Sequence, residues 1–211
     1  MWWIPVTLVG GYLVKKVRED KKTSSYTPTI TTLERNMNRL SLALNEMNNK
    51  KKIAVLGQPG AGKSTLIDLL TSHQCSPRPS IGQKTDATNW SESIEVDLLF
   101  IYRDYVFVDV PGYDTSTHPI DHFIQSFPFH EFDRFLFVVK GKIHQADEEM
   151  WNILKALSLL EKTQIVRSYS DTLNSKEKLE IKKDLFRYFR KKPLFISSRY
   201  KEGLEEVLNF L

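Results

Sequence analysis

Residues 57–64 read Gly57-Gln58-Pro59-Gly60-Ala61-Gly62-Lys63-Ser64, a run whose types and spacing suit one task, holding a chain of phosphates. The glycines let the backbone curl so that successive N–H groups point inward at phosphate oxygens. Lys63 adds a positive charge beside the terminal phosphates, and the Ser64 hydroxyl can ligate Mg²⁺. Thr65 follows in the first turn of a helix whose positive end faces the same anion.

A second set of candidates lies 45 residues on, at Asp109-Val110-Pro111-Gly112. An aspartate at the carboxyl end of a strand beside the phosphate strand can hold Mg²⁺ through water. A glycine three residues later can offer its N–H to a terminal phosphate. Asp109 and Ser64 are thus the candidate metal residues, with Lys63 and Gly112 on the terminal phosphate.

These groups need a scaffold that brings strand ends and a helix start together. Lys52-Ile53-Ala54-Val55-Leu56 is a short apolar run with β-branched residues, which reads as a buried strand. Residues 64–70 carry leucine and isoleucine at helical spacing. Strand, glycine loop, helix is the order the phosphate chemistry requires. Further strands are expected near 94–101, 105–110, 133–139, 163–168 and 193–198. Helices are expected near 63–72, 119–126, 145–161, 175–191 and 202–210. Only Tyr102-Arg103-Asp104 separates the second and third strands, which predicts an antiparallel hairpin. The remaining alternation predicts an α/β fold: a mostly parallel six-stranded sheet with helices on both faces.

An N-terminal helix precedes that unit. Leu33, Met37, Leu40, Leu44 and Met47 recur at spacings of four and three, with Thr31 or Thr32 as the cap. Packing on its own domain is favoured over a partner helix. Residues 15–50 are read as a linker and this helix, and residues 51–211 as the nucleotide-binding domain. Residues 1–14 carry no charged side chain and two tryptophans, and Lys15 and Lys16 follow. As a helix the segment would reach about 21 Å, against a bilayer core about 30 Å thick. It is read as a candidate membrane anchor, with the remainder in the cytoplasm. Net charge is +4 among 211 residues, too weak a basic balance to argue for nucleic acid. One cysteine, Cys75, excludes an intramolecular disulfide and favours a reducing compartment.

The pairing of Gly57–Ser64 with Asp109–Gly112 resembles the Era-like class of P-loop GTPases over about residues 51–211. The resemblance implies a P-loop NTPase fold, GTP or GDP as ligand, Mg²⁺ as cofactor, and GTP hydrolysis. It also implies a threonine of the first switch loop closing on metal and terminal phosphate. Thr88 fits that place by its distance to the aspartate, with Thr85 as the alternative. The family's Asn-Lys-x-Asp base motif corresponds to Ser168-Tyr169-Ser170-Asp171, of which the aspartate alone matches. A carboxylate there can accept from guanine N1–H and N2–H₂ together, a pair adenine does not offer. The run Val166-Arg167-Ser168-Tyr169-Ser170-Asp171 is also similar to the corresponding segment of immunity-related GTPases. The last family element, a loop whose backbone N–H contacts the base, is resembled by Ile196-Ser197-Ser198-Arg199.

Where Ras-like members carry a glutamine that orients water, this chain has Tyr113. Slow intrinsic hydrolysis, raised by a homodimer through the nucleotide face or by a partner, is the resulting expectation. Asp114, Thr115 and His118 are weaker candidates for positioning water. His118, His122 and Cys75 lack metal-motif spacing, and the histidines are read as surface groups. In the helix near 175–191, Leu179, Leu185, Phe186 and Phe189 are expected to face the sheet. Its basic face is read as solvated, with anionic lipid or RNA as the sharper alternatives. Trp151, Leu154 and Leu157 are expected in the core.

Overall fold

The computed structural model describes residues 31–81, 89–113 and 120–211. Helix α1 (Thr32–Glu46) starts where Thr31 turns out of the helix, at φ −67° and ψ 160°. Glu34 N–H donates to Thr31 Oγ1 at 3.2 Å, and Thr31 N–H donates to Glu34 Oε2 at 2.7 Å. This reciprocal box satisfies two donors that a helix start otherwise leaves open. Leu33, Met37, Leu40 and Leu44 are all buried, so the 3–4 periodicity marks the face packed on the domain.

After α1 come β1 (Lys51–Leu56), α2 (Lys63–Leu70), β2 (Phe100–Tyr102), β3 (Tyr105–Asp109) and α3 (Ile120–Ser126). They are followed by β4 (Arg134–Val139), α4 (Gln145–Ala156), β5 (Thr163–Arg167), α5 (Ser175–Phe189), β6 (Leu194–Phe195) and α6 (Leu204–Phe210). The sheet order is β2-β3-β1-β4-β5-β6. Only β2 runs antiparallel to its neighbour; β3, β1, β4, β5 and β6 are mutually parallel.

The strands are apolar on both faces because helices cover both. Ala54, Leu56, Val106, Val108, Phe135 and Phe137 point into one core with α1, α4 and part of α5. Ile53, Val55, Phe107, Leu136 and Val138 alternate to the other, against Leu66, Ile67 and Leu70 of α2 and Val207 of α6. Beside α3 the first core is aromatic: Phe127 stacks on Phe132 at 5.3 Å between centroids and meets Phe129 edge-on at 4.8 Å. Trp151 and Leu154 are buried as expected, and Leu157 packs at the margin.

Three sequence expectations need correction. Residues 94–99 alternate like a strand, yet pairing begins only at Phe100. The hairpin register joins Phe100 to Phe107 and Tyr102 to Tyr105. Continued, it would set Leu98 opposite Asp109, where β3 ends. Residues 157–161 do not extend α4; the chain leaves it at Ala156 and makes a separate 3₁₀ turn, Leu160–Lys162, before β5. On α5, Leu185 and Phe189 enter the core, but Leu179 and Phe186 do not: they are 53% and 44% exposed. With Leu185 and Phe189 facing inward, residues six positions before and one position after Leu185 fall on a flank.

Candidate functional site

The site forms at the carboxyl ends of β1, β3, β4 and β5, where the sheet's parallel strands deliver their loops to one edge. Leaving β1, Gly57 takes φ +150°; a Cβ there would lie 2.3 Å from the Val138 carbonyl oxygen of β4. Only glycine passes the chain over that neighbour. Gly60 and Gly62 follow at φ +72° and +93°, and Gly62 is the residue from which α2 begins.

Lys63 is buried and donates from Nζ to the carbonyls of Gly57 at 3.0 Å and Gln58 at 3.2 Å. Its ammonium therefore spans the loop. Burial pulls its pKa below the ordinary lysine value, and the Asp109 charge opposes that pull. Ser64 Oγ donates to Asp109 Oδ2, so the loop's last residue meets the end of β3 directly. A hydroxyl and a carboxylate are hard oxygen donors of the kind Mg²⁺ takes. Among the described residues no group of three or more His, Cys, Asp or Glu could hold a metal. Ser64 and Asp109 fit the implied cofactor; a third residue assigned to it, Thr88, and its alternative Thr85 lie outside the described residues. Asp114, Thr115 and His118 also lie outside them.

Gly112 sits against the phosphate loop. A Cβ on it would come within 2.5 Å of the Pro59 ring, so the two loops touch through a position that tolerates no side chain. Tyr113, in the place of the water-orienting glutamine, is fully buried. Its hydroxyl donates to Asp147 Oδ1 of α4 at 3.0 Å, and Asp147 Oδ2 accepts from His144 N–H at 3.0 Å. Burial first, then the Asp147 carboxylate, raises the Tyr113 pKa well above the ordinary phenol value. The phenol stays a neutral donor, held by Asp147.

The base-reading candidates meet at the far end. Ser197 Oγ donates to Asp171 Oδ1 at 3.1 Å and accepts from Tyr200 N–H at 3.1 Å. Asp171 is thereby oriented from the loop after β6. Ser198 lines a pocket with Gly62, Thr65, Ser168 and Tyr169.

Two residues here were not singled out from the sequence. Ser168, buried, donates from Oγ to Ala61 O at 2.7 Å and also approaches Val139 O at 3.3 Å. It ties the base loop to the phosphate loop. Tyr169 adopts φ +54° and lies beside Gly62, with Lys140 Nζ 4.2 Å from its ring centroid. A ring on a cation at the mouth of the pocket is a flat surface on which a base can stack. The available signal was their place in the run ending at Asp171.

Comparison with known proteins agrees with this geometry. The model of the 50S ribosome-binding GTPase family matches residues 52–169. GTPase Der of Buchnera aphidicola is 31% identical over 175 residues, covering 75% of this chain and 36% of Der. GTPase Obg of Karelsulcia muelleri is 29% identical over 175 residues, covering 75% of this chain and 49% of Obg. GTPase Era of Fusobacterium nucleatum is 26% identical over 165 residues, with coverage of 75% and 54%. The chain thus spans between about a third and a half of the length of these curated relatives. Among solved structures, a bacterial selenocysteine-specific elongation factor, EF-Sec, shares the fold with a TM-score of 0.52 at 18% identity. That match covers 76% of this chain and 28% of the factor. With its phosphate loop, Asp109–Gly112 and sheet order, the chain belongs to the 50S ribosome-binding GTPase family, the Era-like P-loop GTPases.

Proposed function

We propose that this protein is a GTP-dependent switch that binds GTP or GDP with Mg²⁺ through residues 51–211 and hydrolyses GTP slowly. The observation that carries the reading is the meeting of Ser64 with Asp109 beside a loop spanned by Lys63. Backbone N–H groups of residues 58 and 60–65 would cradle the phosphates, and Lys63 would exchange its two loop carbonyls for terminal phosphate oxygens. Mg²⁺ at Ser64 and Asp109 would offset charge on the phosphate chain. Gly112 N–H would report the terminal phosphate, with Thr88 closing from the first switch. Asp171, held by Ser197, would take guanine N1–H and N2–H₂, and Ser197 and Ser198 would supply the backbone near the base.

The buried, anchored Tyr113 supports slow turnover, because it leaves no side chain at its own position to orient water. A homodimer through the nucleotide face or an unidentified effector would supply the missing group. The same observation favours a second reading, a nucleotide-bound scaffold with negligible turnover. Residues 1–14 would act as a membrane anchor, leaving the nucleotide-binding domain on the cytoplasmic side.

Equilibrium binding of GTP, ATP and XTP to the wild type and to Asp171→Asn tests the core of this reading. The wild type is expected to prefer GTP. The variant should move toward XTP, since an amide offers a donor where xanthine presents an acceptor. A wild type indifferent to guanine nucleotides in the presence of magnesium would overturn it.

A further inference from the structure

Helix α5 divides its exposed surface in a way its packing does not require. Residues 175–192 hold eight Lys or Arg against three Asp or Glu, which alone outweighs the chain's net charge of +4. One stripe of the helix carries cations and apolar residues without a carboxylate. Lys176, Leu179, Lys183, Phe186 and Arg190 follow one another at three- and four-residue steps, and such steps line one stripe of a helix. Lys182 borders that stripe. All of these residues are exposed. The acidic residues Glu177, Glu180 and Asp184 lie on the other flank, where Arg187 falls beside Glu180, and the core contacts Leu185 and Phe189 separate the two flanks on the buried side. Lys191 does not join the basic stripe, because its Nζ turns back to the Leu160 carbonyl at 2.8 Å.

We propose that this flank of α5 rests on an anionic membrane surface, with Leu179 and Phe186 dipping into the interface and Lys176, Lys182, Lys183 and Arg190 on the headgroups. Two apolar side chains about two helical turns apart, set among cations with no carboxylate between them, match the charge of a phospholipid leaflet. The lysine stems can lie along the apolar boundary while their ammonium groups stay in the headgroup layer. A helix held to its domain by Leu185 and Phe189 presents a flank and not a whole face. It would therefore lie shallowly on a plane instead of entering a groove. The inference concerns α5 and is independent of nucleotide chemistry.

The full chain, labelled with a nitroxide at Phe186→Cys or, separately, at Glu180→Cys, is mixed with vesicles of phosphatidylcholine alone or with 30% phosphatidylserine. Cys75 is buried and out of the label's reach. Oxygen and a nickel chelate report depth by collision. The label at 186 is expected to gain oxygen and lose nickel collisions on the anionic vesicles only, while the label at 180 stays in water on both. Lys182→Gln with Lys183→Gln should reduce the immersed fraction by about 25-fold, at about fivefold per cation near such a surface. Retained GTP binding by that variant shows that its fold is intact. Four results overturn the proposal: a label at 186 that stays aqueous on bound chain, no binding to vesicles, equal immersion in neutral vesicles, or immobilisation by RNA or an acidic protein in place of lipid.

Discussion

At the scale of single residues, Lys63 carries opposed demands. Its ammonium is buried, and burial makes the charged form costly, while phosphate binding needs that charge. Its lowered pKa means that the unfolded chain holds this proton more tightly, so the cost to the empty fold eases as pH rises toward the ordinary lysine value. Lys63→Met is therefore expected to lose about 3 kcal/mol of GTP binding, roughly a hundredfold, without lowering the melting temperature of nucleotide-free protein. Titration calorimetry and thermal melts check the two halves. Asp68 shows the opposite sign. Arg78 hydrogen bonds hold its carboxyl below the usual carboxylate value, helped by His73 at 2.6 Å and opposed by burial. A depressed folded pKa contributes stability that is complete above the unfolded value, near 3.8, and is lost as pH falls through the lower folded one. Melting temperatures of Asp68→Asn measured from neutral to acid pH should start below wild type and fall less steeply below about pH 4.

At the scale of elements, α1 and the segment before β2 support each other. Asn36 is fully buried and donates from Nδ2 to Trp90 O at 2.7 Å and to Ser93 O at 2.8 Å. Asn36→Ala would strand two acceptors, at a cost of about 2–3 kcal/mol; urea unfolding should show the midpoint shift, with nucleotide preference unchanged. This contact explains why residues 94–99 are not a strand despite Ile94, Val96 and Leu98 alternating. Their neighbours are already bound to α1, and β3 is too short to continue the ladder. Period-two alternation is local, whereas the partner that turns it into a strand is not. The same limit governs α5. Its helical period was legible, but several apolar residues competed for one core-facing stripe, and only Leu185 and Phe189 occupy it.

At the scale of the whole molecule, the order of strands and helices could be read from the chain because the central strands β1, β3, β4 and β5 are largely apolar runs buried between helices. The phosphate site was legible too: Gly57, Gly60 and Gly62 stand where positive φ or a close approach demands them. The base site was less so. Nothing in the linear order shows that Ser168 reaches Ala61 or that Ser197 reaches Asp171, since both contacts join separate crossovers. If hydrolysis is completed by a second copy, turnover per molecule should rise with protein concentration and level off once dimers dominate. A flat, fast rate in dilute monomer would refute the slow-switch reading.

The anchoring of Tyr113 bears on how such a molecule can move. Gly112 touches Pro59, and one residue later the chain is bolted to the start of α4. A hinge fixed so close to its pin has a short swing. News of the terminal phosphate would then travel less by a sweeping loop than as a push on the end of α4, and a companion listening for it would have reason to wait there.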